Sequence, residues 1–223
     1  MSEAELIVRL RSLDRCALSD ALDRLGLPPA VTGLAQLSTE NKVAGRVRTV
    51  TLSAGNAPPP KPGEHVRHLC TTAVDASGTD DVIVIEQRTG LDAASWGGIL
   101  SCAAKLKGIA GVIVEGPARD IDEARSYGFP VYARGATSRT ARGRIHESAN
   151  QAPITVGDMK VEPGDLVLAD ASGVVFIPKA RAEEVINTAT DIAAREAQMA
   201  ALLRRGDAVS EVMGANYENM LKK

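Results

Sequence analysis

At 223 residues the chain is long enough to bury a substantial apolar core in one large domain or two small ones, and its 44% hydrophobic and 24% charged content excludes a disordered chain. With 26 basic and 28 acidic residues the formal charge is -2, so no global field favours nucleic acid or an anionic membrane as partner. Two Phe and one Trp leave most of the packing to Ala, Val, Ile and Leu.

Residues 1–10 mix acids and a base with short apolar stretches, unlike the uninterrupted apolar region of a signal peptide. No apolar run reaches membrane-spanning length, and no repeat of solenoid period is present. Leu18, Ala21, Leu22 and Leu25 recur at helical spacing, with Gly26 and Pro28-Pro29 as the stop. Residues 43–53 alternate, with Val43, Val47 and Val50 among Arg46, Arg48 and Thr49, and predict a half-exposed strand. Pro58-Pro59-Pro60 with Pro62-Gly63 reads as a stiff loop, and residues 64–76 as a helix.

Val82-Ile83-Val84-Ile85 is short, β-branched and apolar, as suits a strand buried on both faces, and Val112-Ile113-Val114 repeats that signature. Between them Ile99, Cys102, Ala103 and Leu106 share one helical face, with Lys105 and Lys107 on the other, which predicts an amphipathic helix docked by its apolar side. Strand, helix, strand in that order implies a parallel pair. Glu115-Gly116-Pro117 reads as a turn. A helix then runs to Tyr127, stopped by Gly128, and Pro130-Val131-Tyr132-Ala133 forms another strand. Leu166-Val167-Leu168 and Val174-Val175-Phe176-Ile177, separated by Asp170-Ala171-Ser172-Gly173, predict a β-hairpin layer on the same core. A long helix over about 181–205 carries Val185, Ala189, Ile192, Met199 and Leu203 on one seam, interrupted by Glu196. No Gly-, Pro- or Ser-rich linker divides the chain, so a single α/β domain over 1–223 is expected.

Cys16, Cys70 and Cys102 are odd in number and lack CxxC spacing, so they read as reduced thiols of a cytoplasmic protein rather than as a disulfide framework or zinc site. His65 and His68 stand three apart, a weak metal signal, and His146 is isolated. The motifs of serine hydrolases, P-loop enzymes, zinc proteases and dinucleotide-binding enzymes are missing.

Three features can carry chemistry. Arg119-Asp120 follows a buried strand, the place where open α/β sheets bind ligands. An arginine grips a carboxylate with two parallel hydrogen bonds, and an aspartate holds a divalent cation, a pairing that suits a 2-oxo acid. The same dipeptide also fits a surface ion pair, or an Asp120 cap on the next helix. Gly97-Gly98 opens a helix and offers bare N–H groups to an anion, or else permits a close helix-to-strand contact; Ser95-Trp96 can cap that helix and shield the pocket. Glu196 on an apolar seam needs a cation, a proton, solvent or an arginine such as Arg195.

The stretch Trp96-Gly97-Gly98-Ile99-Leu100, then residues 108–114, Gly116-Pro117-Ala118-Arg119-Asp120 and Gly128-Phe129-Pro130-Val131, together with Val161-Glu162-Pro163-Gly164-Asp165 and the stretch from Ala169-Asp170 to Pro178, resembles the RraA-like family over nearly the whole chain. The resemblance implies a swivelling β/β/α fold, a homotrimer or homohexamer with active sites between subunits, and Mg2+ or Mn2+ as cofactor. Metal-dependent members are 4-hydroxy-4-methyl-2-oxoglutarate aldolases. Arg119 would then bind the substrate carboxylate and stabilise an enolate, Asp120 would hold the metal, and Ile99 and Leu100 would offer backbone N–H groups beside Gly97 and Gly98. Glu196 would match an acid supplied by the adjacent subunit.

The family motif places an acid twenty residues before Arg-Asp, and here that position is Gly98. The implied function is a lyase that releases pyruvate from a small 2-oxo acid, by retro-aldol cleavage or by decarboxylation of oxaloacetate. The alternative is a non-catalytic RraA-like protein that binds and inhibits ribonuclease E. Members also carry a dimethylmenaquinone methyltransferase-like label, for which the sequence offers no glycine-rich S-adenosylmethionine motif.

Overall fold

The computed structural model describes residues 1–28, 30–59, 62–63 and 68–214. Helix α1 (Glu3–Ser12) starts on a capping box: the Glu5 N–H donates to Ser2 Oγ and the Ser2 N–H to the Glu5 carboxylate. The Ser-x-x-Glu spacing of residues 2–5 announces this helix, which the apolar pattern alone did not. Helix α2 (Arg15–Arg24) is capped by Asp14, whose carboxylate accepts from Ala17 N–H, and it ends before Gly26 at φ 64°.

The remaining elements follow as β1 (Ala35–Gln36), β2 (Val43–Ala54), α3 (Thr71–Ala76), β3 (Asp81–Glu86), α4 (Gly98–Leu106), β4 (Gly111–Ala118), α5 (Ile121–Ser126) and β5 (Val131–Ala136). After them come β6 (Ile145–Asn150), β7 (Ile154–Val156), β8 (Met159–Val161), β9 (Leu166–Asp170), β10 (Gly173–Ile177), α6 (Ala182–Arg204) and α7 (Val209–Val212). Strands β2, β3, β4 and β5 are parallel neighbours, as the strand-helix-strand rhythm requires. Strands β9 and β6 pair antiparallel with the first and second halves of β2, and β10 extends the sheet beyond β9. The segment before β2 ties the two ends together, because Val31 bridges Val174 of β10 while Ala35 pairs with Ala133 of β5. The sheet therefore curls into a nearly closed barrel.

Alternation along the strands sorts side chains into three clusters. Val47, Val84, Ile113, Tyr132, Val167 and Phe176 fill the interior with the β7–β8 hairpin. Ile83, Ile85, Val112 and Val114 point outward under α3, α4 and α5. Leu166, Leu168, Val175 and Ile177 point outward under α1, α2 and α6.

Several expectations change. Strand β2 is mostly buried rather than half-exposed, because Val43 and Val47 face the interior cluster while Ala44, Val50 and Leu52 belong to the clusters on its outer face. Of the helix expected over 64–76, only α3 forms; residues 64–67 lie outside the described residues, and Cys70 at φ 64° precedes the first helical turn. Glu115-Gly116-Pro117 is no turn, since β4 continues through it with a shift of register between Val114 and Pro117. The hairpin β9–β10 belongs to the main sheet and is not a separate layer.

The largest correction concerns α4. It buries Gly98, Ser101 and Ala104, while Ile99 and Leu106 are 81% and 83% exposed. Small residues let this helix approach the sheet closely, and the Trp96 indole N–H donates to Ser101 Oγ at 2.9 Å to fix the approach. Apolar periodicity cannot report a face chosen for size, so Ile99 and Leu106 of the predicted seam point outward, while Ala103 still packs against the core. Among the described residues no helix is long and apolar enough to cross a membrane.

Candidate active site

The site residues lie at the C-terminal ends of the parallel strands, where the β3-to-α4 connection meets the end of β4. Backbone bonds hold the two segments side by side: Ser95 N–H donates to Pro117 O and Arg119 N–H to Trp96 O, both at 2.9 Å. Trp96 is buried and stacks on Phe129, with ring centroids 6.0 Å apart. It anchors the connection in the core instead of lidding a pocket. Ser95 does not cap α4 through its side chain; its hydroxyl is buried without a partner. The Gln87 side chain, buried beneath the same connection, donates to Leu91 O and Ala93 O at 3.0 and 3.3 Å.

This clip brings Arg119-Asp120 against Gly97-Gly98. Asp120 adopts φ 56°, a left-handed conformation that aspartate tolerates better than bulkier residues. Although it stands at the N-cap position of α5, its side chain makes no capping bond there. Its Oδ2 instead accepts the Gly98 N–H of α4 at 3.0 Å, so the capping alternative gives way to a cross-helix contact. The Arg119 Nε lies 3.3 Å from the same oxygen, with both side chains more than a third exposed. The Ser101 N–H already bonds to Gly97 O, which leaves the N–H groups of Ile99 and Leu100 without an acceptor among the described residues.

The two glycines leave the room that the Asp120 and Glu123 carboxylates occupy. A Cβ on Gly97 would stand 2.8 Å from Asp120 Oδ2, and one on Gly98 would overlap Glu123 Oε2 and lie 3.2 Å from Asp120 Cβ. Glu123, on the first turn of α5, therefore occupies the space of the side chain that Gly98 lacks. Sequence reasoning passed over this carboxylate, although the spacing of Asp120 and Glu123 places both on one side of a helix start. Two carboxylates, one guanidinium and two free N–H groups thus converge on the mouth of α4, where the helix dipole is positive.

Glu196 lies elsewhere. It sits half-buried on α6, which packs along α2 on the other outer side of the sheet. Burial raises its pKa, and the facing carboxylates of Asp14 and Asp20 raise it further. No ion pair with Arg195 forms among the described residues, and one subunit does not bring Glu196 to Arg119. His65 is outside the described residues, and none of the described His, Cys, Asp and Glu residues form a group of three able to hold a metal.

A curled mixed sheet, helices packed on its outer surface and a polar cleft at the parallel strand ends define the class of fold. The chain belongs to the RraA-like family, described as Aldolase/RraA, which it matches over residues 15–176. It is 33% identical over 195 residues to a protein of Halalkalibacterium halodurans provisionally named a 4-hydroxy-4-methyl-2-oxoglutarate aldolase, covering 85% of each chain. It is 28% identical to protein DlpA of Legionella pneumophila over 92% of its own length, but spans only 33% of that longer protein. Streptomyces coelicolor RraAS2, titled an unusual member of the RNase ES inhibitor RraA protein family, superposes with a TM-score of 0.75 at 26% identity, covering 87% of this chain and 95% of that one.

Proposed function

We propose that the chain is a divalent-metal-dependent lyase that cleaves a C–C bond of a small 2-oxo acid and releases pyruvate. Its reaction would be retro-aldol cleavage of the 4-hydroxy-4-methyl-2-oxoglutarate type, decarboxylation of oxaloacetate, or both. The observation that carries this reading is the convergence of Asp120 and Glu123 on Gly97-Gly98 beside Arg119. Two solvent-facing carboxylates are hard oxygen donors that suit Mg2+ or Mn2+, ions that keep several waters and need few protein ligands. When bound, such an ion supplies Lewis-acid stabilisation of negative charge on the 2-oxo oxygen.

The protein groups divide the remaining work. Arg119 turns from Asp120 to hold the substrate carboxylate through two parallel hydrogen bonds. The Ile99 and Leu100 N–H groups, at the positive end of α4, receive the same carboxylate. The enolate charge appears only as the C–C bond breaks, so positive groups aimed at it lower the barrier more than they stabilise bound substrate. Glu196 reaches a site only from a neighbouring copy, in a homotrimer or homohexamer, where it would orient the proton acceptor. The exposed Ile99 beside the site and Leu106 at the far end of α4 support such assembly. A cytoplasmic location fits this chemistry.

The test is pyruvate release from oxaloacetate and from 4-hydroxy-4-methyl-2-oxoglutarate, with and without Mg2+. Removal of divalent cations should abolish release, and an Asp120→Ala protein that keeps metal-dependent release sinks the proposal. Similarity to RraAS2 favours the second reading, a non-catalytic binder that inhibits ribonuclease E. Inhibition of that ribonuclease without any pyruvate release would select it.

A further inference from the structure

The loop between β5 and β6 carries Arg139, Arg142 and Arg144, and the sequence from Ala133 to His146 contains no acidic residue. This basic loop adjoins the candidate active site on two sides. Thr137 N–H donates to Ala118 O, the residue before Arg119, and Ala94 N–H donates to Arg139 O, both at 2.9 Å. Its backbone is fixed from within as well. Thr137 Oγ1 accepts from Arg139 N–H, Thr140 Oγ1 accepts from Arg142 N–H, and the buried side chains of Ala141 and Ile145 pin the far end.

The guanidinium groups are held much less firmly. Arg144 donates to Thr140 O at 3.1 Å. Arg139 meets Asp92 at 3.3 Å, but both side chains are more than half exposed, a pairing of little strength. Arg142 is exposed and has no acceptor among the described residues. Two cations without a firm partner therefore stand on a rigid loop whose backbone touches the segments on both sides of the cleft. A polyanion would need an extended basic stripe or aromatic stacking partners, and this loop offers neither.

We infer that Arg139 and Arg142 form a distal-carboxylate subsite, which makes the cleft selective for 2-oxo dicarboxylates over 2-oxo monocarboxylates. The inference rests on the lyase reading for the placement of the 2-oxo acid head at Arg119. The second carboxylate would lie toward the basic loop, where arginine gives planar, charge-assisted hydrogen bonds.

Titration calorimetry of the full chain in Mg2+ tests this with 2-oxoglutarate and with 2-oxopentanoate, in which a methyl group replaces the distal carboxylate. The wild type should bind 2-oxoglutarate about tenfold more tightly or better. In Arg139→Gln/Arg142→Gln that ratio should fall to near unity with 2-oxopentanoate affinity unchanged, while Arg144→Gln should keep the wild-type ratio. No preference in the wild type, no detectable binding of either ligand, an unchanged ratio in the double variant, or equal weakening of both ligands overturns the subsite. Pyruvate release from oxaloacetate on the same preparations separates the two ideas. A retained preference without release defeats the lyase reading alone, and release without preference defeats the subsite alone.

Discussion

The two helical layers outside the curled sheet bury similar aliphatic surfaces but leave their carboxylates in opposite electrostatic settings. Under α4 and α5, Asp120 and Glu123 face a guanidinium, free backbone N–H groups and two glycines. Under α2 and α6, burial and then the carboxylates of Asp14 and Asp20 push the Glu196 pKa up, and burial followed by repulsion from Asp23 and Asp14 does the same to Asp20. The first layer sets a guanidinium and backbone N–H groups beside its acids. The second brings acids of α2 and α6 near one another, so that they raise one another's affinity for a proton.

Substitutions can break that contrast. The largest effect is expected at Asp120: Asp120→Ala should lower metal-dependent pyruvate release by about 10³-fold or more, whereas Asp20→Ala should leave it nearly unchanged. Steady-state release at saturating Mg2+ decides between them, and comparable losses would erase the distinction.

Next in size, Trp96→Ala should destabilise the α4 layer by about 3 kcal/mol or more, because it removes a buried ring that stacks on Phe129 and bonds Ser101. Urea unfolding followed by circular dichroism measures this, and a loss under 1 kcal/mol would show that the connection is not anchored by the indole.

A smaller and sharper test exchanges the positions of the acid. Glu123→Ala should weaken Mg2+ affinity by about ten- to a hundredfold. Adding Gly98→Asp to that variant should recover most of the loss, because the new side chain enters the space that Glu123 fills. Calorimetric Mg2+ affinity unaffected by Glu123→Ala would remove Glu123 from the site.

The smallest effect belongs to the other layer. The folded-state pKa of Glu196 lies above its ordinary 4.5, so its contribution is fully present below that value and is lost as pH rises through the folded value. Glu196→Gln should therefore raise stability at neutral pH, by about 0.5 kcal/mol or less given the exposure of the group, and should make no difference near pH 4. Thermal melts at the two pH values check the sign, and stabilisation confined to the acidic side would contradict it.

Much of this was legible in the chain. The buried runs at 82–85 and 112–114 could only be central strands, and Gly26 and Gly128 end helices where a positive φ is needed. Arg119 and Asp120 were marked by position after a strand. Glu123 was visible in principle from its spacing, but its relevance depends on Gly98 lying across from it on another helix. The outward face of α4 was misread because burial there follows the smallness of Gly98, Ser101 and Ala104 rather than hydrophobicity.

By itself the sequence determined the periods, stops and buried strands, since these follow from local backbone preference and from apolar patterning within a few residues. Only the tertiary structure decided that Val31 and Ala35 join the two ends of the sheet, and that Asp120 caps α4 instead of its own helix. The same holds for Glu123 standing in for the side chain absent at Gly98, while Glu196 lies on the opposite layer. These are relations between residues far apart in the chain. Their energies depend on close approach across packed elements, which no local pattern encodes.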